Sequence, residues 1–319
     1  MPGRPLVTVL KENDAVGNTD TSYSVDLPKS NYIKAIYIRF RGTNGASMTE
    51  ALMEAFVTRV KVECDGSGVI KYVDAQQARD IAMLRNHVRP DVCTVDNGTR
   101  GISIPLYFTR FEGDEWCLLP AMLFRTLRLE LTLSGGQGAG SNTSFDAGTV
   151  KVDITVDELE AGADTPDQIK SKLILREVER ESKSASSSQD FDLPLGNMLR
   201  GVLLEYTSPA AANLRDKWIV SLNNGAKIPY SNTWQQILSE NYQQFGLVGY
   251  GLEGIMYGNG VAANQSDYSY SRAFIWLDEG NSLAHCIDTA LYNEVHVKCD
   301  SLGASKAVTL TVLEVLRLA

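Results

Sequence analysis

Histidine is scarce in this chain of 319 residues, which contains only three: His87, His285 and His296. A histidine-rich metal centre needs two or three of these residues on neighbouring strands of one domain. His87 falls at the expected end of a helix, and His285 stands beside Cys286 in a helix-like stretch. His296 precedes Cys299 by three positions, so in a strand the two side chains face opposite ways. The sequence therefore predicts structural or surface histidines and no metal ligand.

Paired cysteines and nucleophile motifs are also lacking. The five cysteines are odd in number, scattered and without a Cys-x-x-Cys pair: Cys64, Cys93, Cys117, Cys286 and Cys299. We therefore expect no disulfide framework and infer folding in a reducing cytoplasm. No Gly-x-Ser-x-Gly motif occurs, and no cysteine stands in a recognisable context with histidine. We predict no catalytic residue and no cofactor, and thus a protein that is not an enzyme.

Neither a basic excess nor a long apolar run is present. The net charge is −9 and no run of lysine or arginine occurs, which argues against a general nucleic-acid-binding protein. No stretch reaches the roughly 18 apolar residues of a membrane-spanning helix. The apolar run within MPGRPLVTVLKEND is too short for the core of a signal peptide, so we expect no export signal. With 44 % hydrophobic and 22 % charged residues, the composition is that of a globular protein.

A pattern that occurs twice organises the chain. Asp26-Leu27-Pro28 precedes an apolar strand-like run, and Asp192-Leu193-Pro194, 166 positions later, precedes another. In both copies a second strand then enters a tight polar turn. A helix-compatible segment with a Gln-Gln pair follows, at Gln76-Gln77 and at Gln235-Gln236. Because the spacing changes only at loops, which accept insertions at low cost, we predict two versions of one all-β module.

The number and order of these segments favour a jelly roll. Each copy has about eight strand-like segments and one helix after the hairpin, whereas parallel βα units need a helix after nearly every strand. We predict an all-β fold of two tandem eight-stranded jelly rolls, which are β-sandwiches, with short inserted helices. The expected parts are an N-terminal arm or edge strand, the first jelly roll, an acidic linker and the second jelly roll, at residues 1–21, 22–161, 162–171 and 172–319.

Four segments have specific expected structures. Asp74 is a candidate N-cap for the helix that follows it. Met48–Phe56 has a helical composition and is absent from the second copy, so we predict an inserted helix there. In the second copy we expect a helix over Ser231–Tyr242. The serine-rich segment Glu179–Asp190 is predicted to be an exposed loop.

A group of carboxylates near the end of the first copy could hold a Ca²⁺ ion between subunits: Asp153, Asp157, Glu158 and Glu160. Calcium loops wrap their ligands around one point, whereas Asp153 and Asp157 lie on an extended strand. We therefore do not favour an ion here and predict no metal ligand among these residues.

A second acidic group could supply an acid and a base: Glu112, Asp114 and Glu115. The second copy carries Asp278-Glu279 at the same loop position. Since repeated acidic loops are typical of a solvated surface, we predict no catalytic role for either loop.

Two loops invite a binding interpretation. Gly135–Gly140 superficially resembles a phosphate-binding loop, but polar residues and a strand follow it rather than a helix N-terminus, so a flexible connection is favoured. The long loop Gly246–Tyr270 carries several tyrosines: Tyr250, Tyr257, Tyr268 and Tyr270. They could form a sugar-binding surface, yet tyrosine with glycine and asparagine is also typical of protein–protein contact loops, which we favour.

The chain resembles the double jelly-roll major capsid proteins of icosahedral, membrane-containing bacteriophages, most closely those of the corticovirus and finnlakevirus type. The segments that carry the resemblance are VKVECDGSGVIKYVDAQQARDIAMLRNH from Val60, VKVDITVDELEAGAD from Val150, and the Asp-Leu-Pro repeat. The resemblance covers nearly the whole chain from Ser22 onward. The chain departs from the family pattern in the segment MTEALMEAF and in the loop at 246–270.

The resemblance implies a homotrimer whose six similar modules surround one axis and tile an icosahedral shell. The implied partners are copies of the same chain, penton or spike and minor capsid proteins, and an internal lipid membrane at the capsid base, without direct sequence-specific nucleic-acid binding. It places the protein in the virion capsid after synthesis in the host cytoplasm. We further expect the N-terminal arm, with Arg4 and Lys11, to lie at the base or to clamp a neighbouring copy.

Two other functions are compatible with two jelly rolls in one chain. Glycan-cleaving amidases such as bacterial peptide-N-glycanase act in oxidising compartments and place acidic residues in the groove between their modules. This chain has no recognisable export signal, an odd cysteine count and no acidic-aromatic set identified at the expected module junction. A pair of carbohydrate-binding modules is the third alternative, and it depends on the tyrosine loop.

Overall fold

The computed structural model describes the chain at residues 3–17, 19–43, 50–66, 68–87, 90–96, 99–135, 145–162, 164–186, 188–206, 215–245, 272–278, 282–300 and 306–317. The chain divides into two compact units, Met1–Arg176 with Arg317–Ala319, and Glu177–Leu316. Within these described ranges, no helix is long and apolar enough to cross a lipid bilayer.

The first unit consists mainly of antiparallel strands. Its strands are β1 (Pro5–Ala15), β2 (Ser22–Asp26), β3 (Tyr32–Thr43), β4 (Val57–Cys64), β5 (Gly68–Val73), β6 (Val92–Asp96), β7 (Thr99–Tyr107), β8 (Leu119–Pro120), β9 (Leu127–Leu133) and β10 (Lys151–Leu159). The helices are α1 (Glu50–Glu54), α2 (Ala75–Asn86) and α3 (Pro166–Lys170). One layer has the strand order β1-β10-β3-β7-β6, with β8 beside β3, and the other has the order β2-β9-β4-β5.

The core of the first unit follows from alternation along its strands. On β3, Ile36, Ile38 and Phe40 are fully buried, whereas Tyr37 and Arg39 between them are exposed. Successive residues of a strand face opposite sides of the sheet, so one side packs inward and the other forms an outer face. Strands β9 and β10 alternate in the same way.

The second unit repeats this design. Its strands are β11 (Leu173–Ser186), which begins in the first unit, β12 (Ser188–Asp192), β13 (Met198–Tyr206), β14 (Lys217–Leu222), β15 (Lys227–Thr233), β16 (Arg272–Trp276), β17 (Ile287–Asp288), β18 (Val295–Asp300) and β19 (Lys306–Arg317). Its long helix is α4 (Trp234–Phe245). One layer has the order β16-β13-β19-β11, with β17 beside β13, and the other has β12-β18-β14-β15. Trp218 and Trp234 lie fully buried in its core.

The strand orders of the two units match position for position. The runs β1-β10-β3-β7 and β11-β19-β13-β16 correspond, as do β2-β9-β4-β5 and β12-β18-β14-β15. The Asp-Leu-Pro repeat makes the same backbone contact in each: Leu27 N donates to Leu127 O at 2.9 Å, and Leu193 N donates to Val295 O at 2.8 Å. Eight strands in two layers, with a helix after the hairpin, therefore correspond between the units, which confirms the predicted tandem jelly rolls.

A β-bulge also recurs at one position. In β3 the bulged residue is Lys34. It lies between Ile33, the partner of Glu158 on β10, and Ala35, the partner of Asp157. In β13 it is Arg200, which lies at the corresponding register of the β13–β19 pair. A bulge inserts one extra residue and redirects its side chain, so each unit places a cation at the same irregular position.

The Gln-Gln pairs have a specific role at helix starts. Asp74 accepts a hydrogen bond from Gln77 N at 2.7 Å, and Asp74 N donates to Gln77 Oε1 at 3.0 Å. In the second unit Thr233 N donates to Gln236 Oε1 at 2.8 Å, and Gln236 N donates to Thr233 Oγ1 at 3.4 Å. The second glutamine of each pair thus closes a capping box, which satisfies two otherwise unpaired backbone N–H groups. The prediction of Asp74 as an N-cap is confirmed.

Two local predictions need correction. The segment Glu179–Asp190, expected to be an exposed loop, is occupied by most of β11 and β12. On β12 Gln189 and Phe191 are buried between exposed neighbours, because pairing with β18 satisfies the backbone of this polar segment. The helix expected from Ser231 begins only at Trp234, since β15 continues to its capping residue Thr233.

The inserted helix expected over Met48–Phe56 is present as α1.

Candidate functional site

The outer face of the first sheet carries a groove of about 470 Å³. It lies over β3 and β7 and borders the end of α2. Tyr37 and Tyr107 meet there edge to face, with ring centroids 6.0 Å apart. Tyr37 is 42 % exposed, and Arg39 stands beside it on the same outward face of β3. This groove is formed entirely by residues of the first unit.

Helix α2 holds Tyr107, one of the two tyrosines of this groove. The Arg85 guanidinium lies 4.1 Å from the centroid of the Tyr107 ring, and Asn86 Nδ2 donates to Tyr107 Oη at 2.8 Å. Burial, together with the neighbouring Tyr107, raises the pKa of Tyr37 to about 12, so this phenol stays protonated at neutral pH. The result is a positioned aromatic surface flanked by arginine, and these residue types are enriched in protein–protein contacts.

The N-terminal segment forms a second exposed surface. β1 ends the strand order of its sheet within the described residues, which confirms the edge-strand interpretation. Val7 and Val9 on this strand are 69 % and 59 % exposed. Lys11 and Arg4 contact their own chain: Lys11 Nζ lies 3.1 Å from Asp14 Oδ2, and Glu160 N donates to Arg4 O at 3.0 Å. An edge strand presents unpaired backbone groups to which a strand of another chain can add, and the two valines lie on this edge.

The carboxylates of β10 have partners inside the first unit. Asp153 lies 2.8 Å from Arg41, and Asp157 lies 3.1 Å from the bulged Lys34. Glu158 is buried and accepts a hydrogen bond from Thr8 Oγ1 at 3.1 Å. These contacts give Asp153, Asp157 and Glu158 structural roles within the first unit.

The two acidic loops differ from their predicted solvated state. Glu112 and Glu115 are exposed, but Asp114 and Asp278 are 3 % and 0 % exposed. Asp114 accepts a hydrogen bond from Arg110 Nε at 2.8 Å. Asp278 likewise accepts a hydrogen bond from Arg200 Nε at 3.0 Å. The prediction of a solvated surface is therefore wrong for the two aspartates, because a buried arginine compensates each carboxylate.

The three histidines occupy different settings. His87 caps the C-terminal end of α2 in a left-handed conformation, with φ of 56°. His285 ends a 3₁₀ turn. His296 lies on β18 facing outward, opposite to the buried Cys299, as the three-residue spacing predicts. The strand register brings His296 next to Asp190 and Asp192 of β12.

The cluster at His296 was not predicted from the sequence. Asp190 and Asp192 are two positions apart on one strand, so they share a face. That spacing is visible in the sequence, but the histidine is 104 positions further on, at 296 rather than 192. Only the pairing of β12 with β18 shows that the three residues meet.

Other predicted features fall partly or wholly outside the described residues. Among the described residues, Cys64, Cys117, Cys286 and Cys299 are not joined to one another by disulfide bonds. The glycine-rich loop beyond Gly135 and the tyrosine loop lie outside the described ranges.

The architecture defines the chain as a protein with two jelly rolls in tandem, and comparisons with known proteins agree. No protein-family model and no curated protein matches the chain. The major capsid protein of Sulfolobus turreted icosahedral virus has a similar structure, with a TM-score of 0.71, 13 % identity, and coverage of 99 % of this chain and 97 % of that chain. The major capsid protein P2 of bacteriophage PM2 has a TM-score of 0.59 and 12 % identity, with 98 % of each chain covered.

A third similar structure is VP54 of PBCV-1, with a TM-score of 0.61, 13 % identity, and coverage of 98 % of this chain and 94 % of that chain. Identities this low show a shared fold, the double jelly roll. A peptide-N-glycosyl asparagine amidase gives a TM-score of only 0.40, which is too weak a likeness to support the glycan-processing alternative.

Proposed function

We propose that this chain is a viral major capsid protein that builds an icosahedral shell and has no catalytic role. The observation that carries the proposal is the matched strand order of the two units, since the same double jelly roll occurs over nearly the full length of three proteins named as capsid components or capsid proteins. A fold alone does not define a function. The duplicated design supports the proposal because it suits a building block that meets copies of itself.

The proposed assembly is a homotrimer. Three chains with two similar modules each present six nearly equivalent units around one axis, so the trimer fits a hexagonal lattice. Closed cyclic symmetry is the usual arrangement of homo-oligomers. Differences between the described parts of the modules, such as strand β6 and helix α1, which are seen there only in the first unit, then determine which neighbours meet.

The two exposed surfaces of the first unit are the proposed contact regions. The groove offers Tyr37 and Tyr107 beside Arg39, and β1 offers Val7 and Val9. Aromatic residues and arginine are enriched in the buried centres of protein interfaces. The edge strand can in addition be covered by a neighbouring copy, which would remove an otherwise exposed edge.

The remaining partners follow from the family resemblance and are part of the same proposal. Neighbouring trimers, penton or spike proteins and minor capsid proteins would contact the block, and an internal membrane would lie at its base. The N-terminal segment, with Arg4 and Lys11, would lie at this base or against a neighbour. The protein would reside in the virion capsid after synthesis in the host cytoplasm.

The test is the size of the purified chain in solution, measured by light scattering after gel filtration and by electron microscopy. We expect a trimer of about 105 kDa, three times the chain mass of 35.0 kDa, and sheets or shells at higher concentration. A chain that stays monomeric at all concentrations would refute the proposal. Deglycosylation activity or binding on a glycan array would instead favour the alternatives.

A further inference from the structure

A row of polar side chains crosses the outer face of the second unit. Asp192 on β12 is the register partner of His296 on β18, and His296 is the register partner of Ser221 on β14. Directly paired residues of antiparallel strands place their side chains on one face. Asp190 precedes Asp192 by two positions and shares that face. The neighbouring positions Val220 and Val297 point into the core, which identifies this row as outward.

The distances in this row suit metal coordination. His296 Nδ1 lies 2.7 Å from Asp192 Oδ1 and 3.1 Å from Asp190 Oδ1. One donor atom from each of the three residues lies within 4.8 Å of the others. Nitrogen and oxygen ligands that are about 2.1 Å from one ion are roughly 3.0 to 3.4 Å apart, and the two contacts of His296 Nδ1 are close to that spacing.

The other charged groups around His296 limit how an ion would bind. Lys298 Nζ lies 3.2 Å from Asp190 Oδ2, which leaves Asp190 one oxygen for an ion. Glu294 Oε2 lies 3.7 Å from His296 Nε2 on the other side of the ring. Three carboxylates therefore surround the imidazole and one ammonium offsets them.

Ser221 provides an independent observation beside this cluster. Its side chain is 3 % exposed, and Oγ has no hydrogen-bond partner within the described part of the chain. Buried hydroxyl groups are normally paired, so this oxygen retains the capacity for one hydrogen bond beside His296, on the side of β18 opposite to Asp190 and Asp192.

In the first unit, the position that corresponds to His296 carries a permanently charged residue. The corresponding row is Asp26, Arg128 and Glu63. Arg128 Nε lies 3.1 Å from Asp26 Oδ1 and forms an ion pair. In the second unit histidine replaces this arginine, and an aspartate, Asp190, replaces Ser24. The fixed positive charge at the centre of the row is thus lost, while Ser221 stands in place of Glu63 and Lys298 in place of Glu130.

We propose that Asp190, Asp192 and His296 bind one divalent first-row transition-metal ion, which fastens the edge strand β12 to β18. A mixed set of imidazole and carboxylate ligands favours ions such as Zn²⁺ or Co²⁺ over Ca²⁺ and Mg²⁺, which prefer oxygen ligands alone. The site goes beyond the capsid proposal and does not depend on it.

The test is titration of the full chain with Co²⁺, followed by calorimetry and visible absorption. We expect one site per chain, and binding weaker by more than about tenfold in His296→Gln and in Asp192→Asn. Two control variants should bind as the unaltered chain does: Asp26→Asn, at the corresponding position of the first unit, and His285→Gln.

The variant His296→Arg distinguishes loss of the metal site from loss of folding. It recreates the arrangement of Arg128 with Asp26, so this variant should fold, take up no Co²⁺ and show no metal-dependent rise in the unfolding temperature. Absence of saturable binding by the unaltered chain would overturn the proposal. So would undiminished binding by the folded His296→Arg variant, or an intense thiolate-to-cobalt band, which would assign the ion to cysteine.

Discussion

Arg79 and Glu54 form an ion pair inside the first unit: Arg79 Nε donates to Glu54 Oε1 at 2.9 Å, and the side chains are 0 % and 2 % exposed. Arg79 also donates to the carbonyl oxygens of Pro90, Asp91 and Ser103. One side chain of α2 therefore holds α1, the segment before β6, and β7. A buried charge with this many partners is a point of high sensitivity, because its removal leaves several groups without compensation.

Replacement of Arg79 by alanine should lower the free energy of unfolding by about 3 to 5 kcal/mol, because Glu54 is left buried without its cation. Urea unfolding measures this loss. Arg128→Ala serves as a control, since its ion pair with Asp26 is exposed, and we expect its unfolding midpoint to change little. Equal losses in the two variants would contradict the importance assigned to burial.

Asp114 should make the free energy of unfolding of the first unit depend on pH in the acidic range. Burial raises the pKa of this carboxyl, but the hydrogen bonds and charge of Arg110 outweigh it and hold the pKa below the ordinary value of 3.8. A carboxyl with a lowered pKa in the folded state contributes stability above its unfolded pKa, and this contribution disappears as the pH falls through the folded pKa.

We therefore expect Asp114→Asn to lose roughly 3 kcal/mol at pH 7 and to show a shallower decline in stability below pH 3.8. Urea unfolding at a series of pH values measures both effects. Glu112→Gln, an exposed change in the same loop, should leave the curve unaltered. A parallel decline in the Asp114→Asn and unaltered chains would show that another group is responsible.

The two residues of a Gln-Gln pair should respond differently to alanine. Gln236 closes the capping box with Thr233, whereas Gln235 is exposed and its side chain is not part of the box. Gln236→Ala should cost about 0.5 to 1 kcal/mol, and Gln235→Ala should be nearly neutral. Thermal unfolding of the two variants provides the comparison. A larger effect at Gln235 would argue against the cap.

Gly201 should not tolerate a methyl group. A Cβ atom at this position would lie 2.6 Å from Ile275 O, the backbone of the neighbouring strand β16. Ala35 occupies the corresponding register position in the first unit and is buried there. We expect Gly201→Ala to destabilise the chain by about 1 to 3 kcal/mol. A neutral result in urea unfolding would show that β16 moves to accept the methyl group.

The exposed valines of β1 test the proposed contacts between copies. Val7→Glu combined with Val9→Glu should leave the unfolding midpoint nearly unchanged, since both side chains are mostly exposed. The same variant should weaken self-association in gel filtration, because carboxylates are unfavourable in the apolar centre of an interface. Glu12→Gln, also exposed on β1, is the matched control. Unaltered association of the double variant would remove β1 from the proposed contact surface.

Much of the fold follows from local signals in the sequence. The Asp-Leu-Pro repeat, the alternation on β3 and the N-cap at Asp74 each depend on residues close together in the chain, so their structures could be predicted. The polar strand β12 could not, because its stability comes from pairing with β18, about a hundred positions away. Local composition at that segment is typical of a loop, and tertiary pairing overrides it.

The candidate sites were harder to predict for the same physical reason. Arg200 and Asp278 meet although they are 78 positions apart, and the burial of Asp278 cannot be inferred from its acidic loop. The neighbours of His296 depend on strand register in the same way. A shift of one residue would turn its side chain to the opposite face, so no sequence spacing alone could place it among carboxylates.

The bulges at Lys34 and Arg200 also change how mutational data on this chain should be interpreted. Inward and outward positions alternate along a strand, but each bulge shifts this alternation by one residue. Ile33 and Ile36 are therefore both buried although an odd number of positions separates them. A deletion of Lys34 would therefore not simply shorten β3. It would also remove the bulge, and Ile33 would then directly precede Ala35 and keep its present facing, so the buried side of the strand would stay buried.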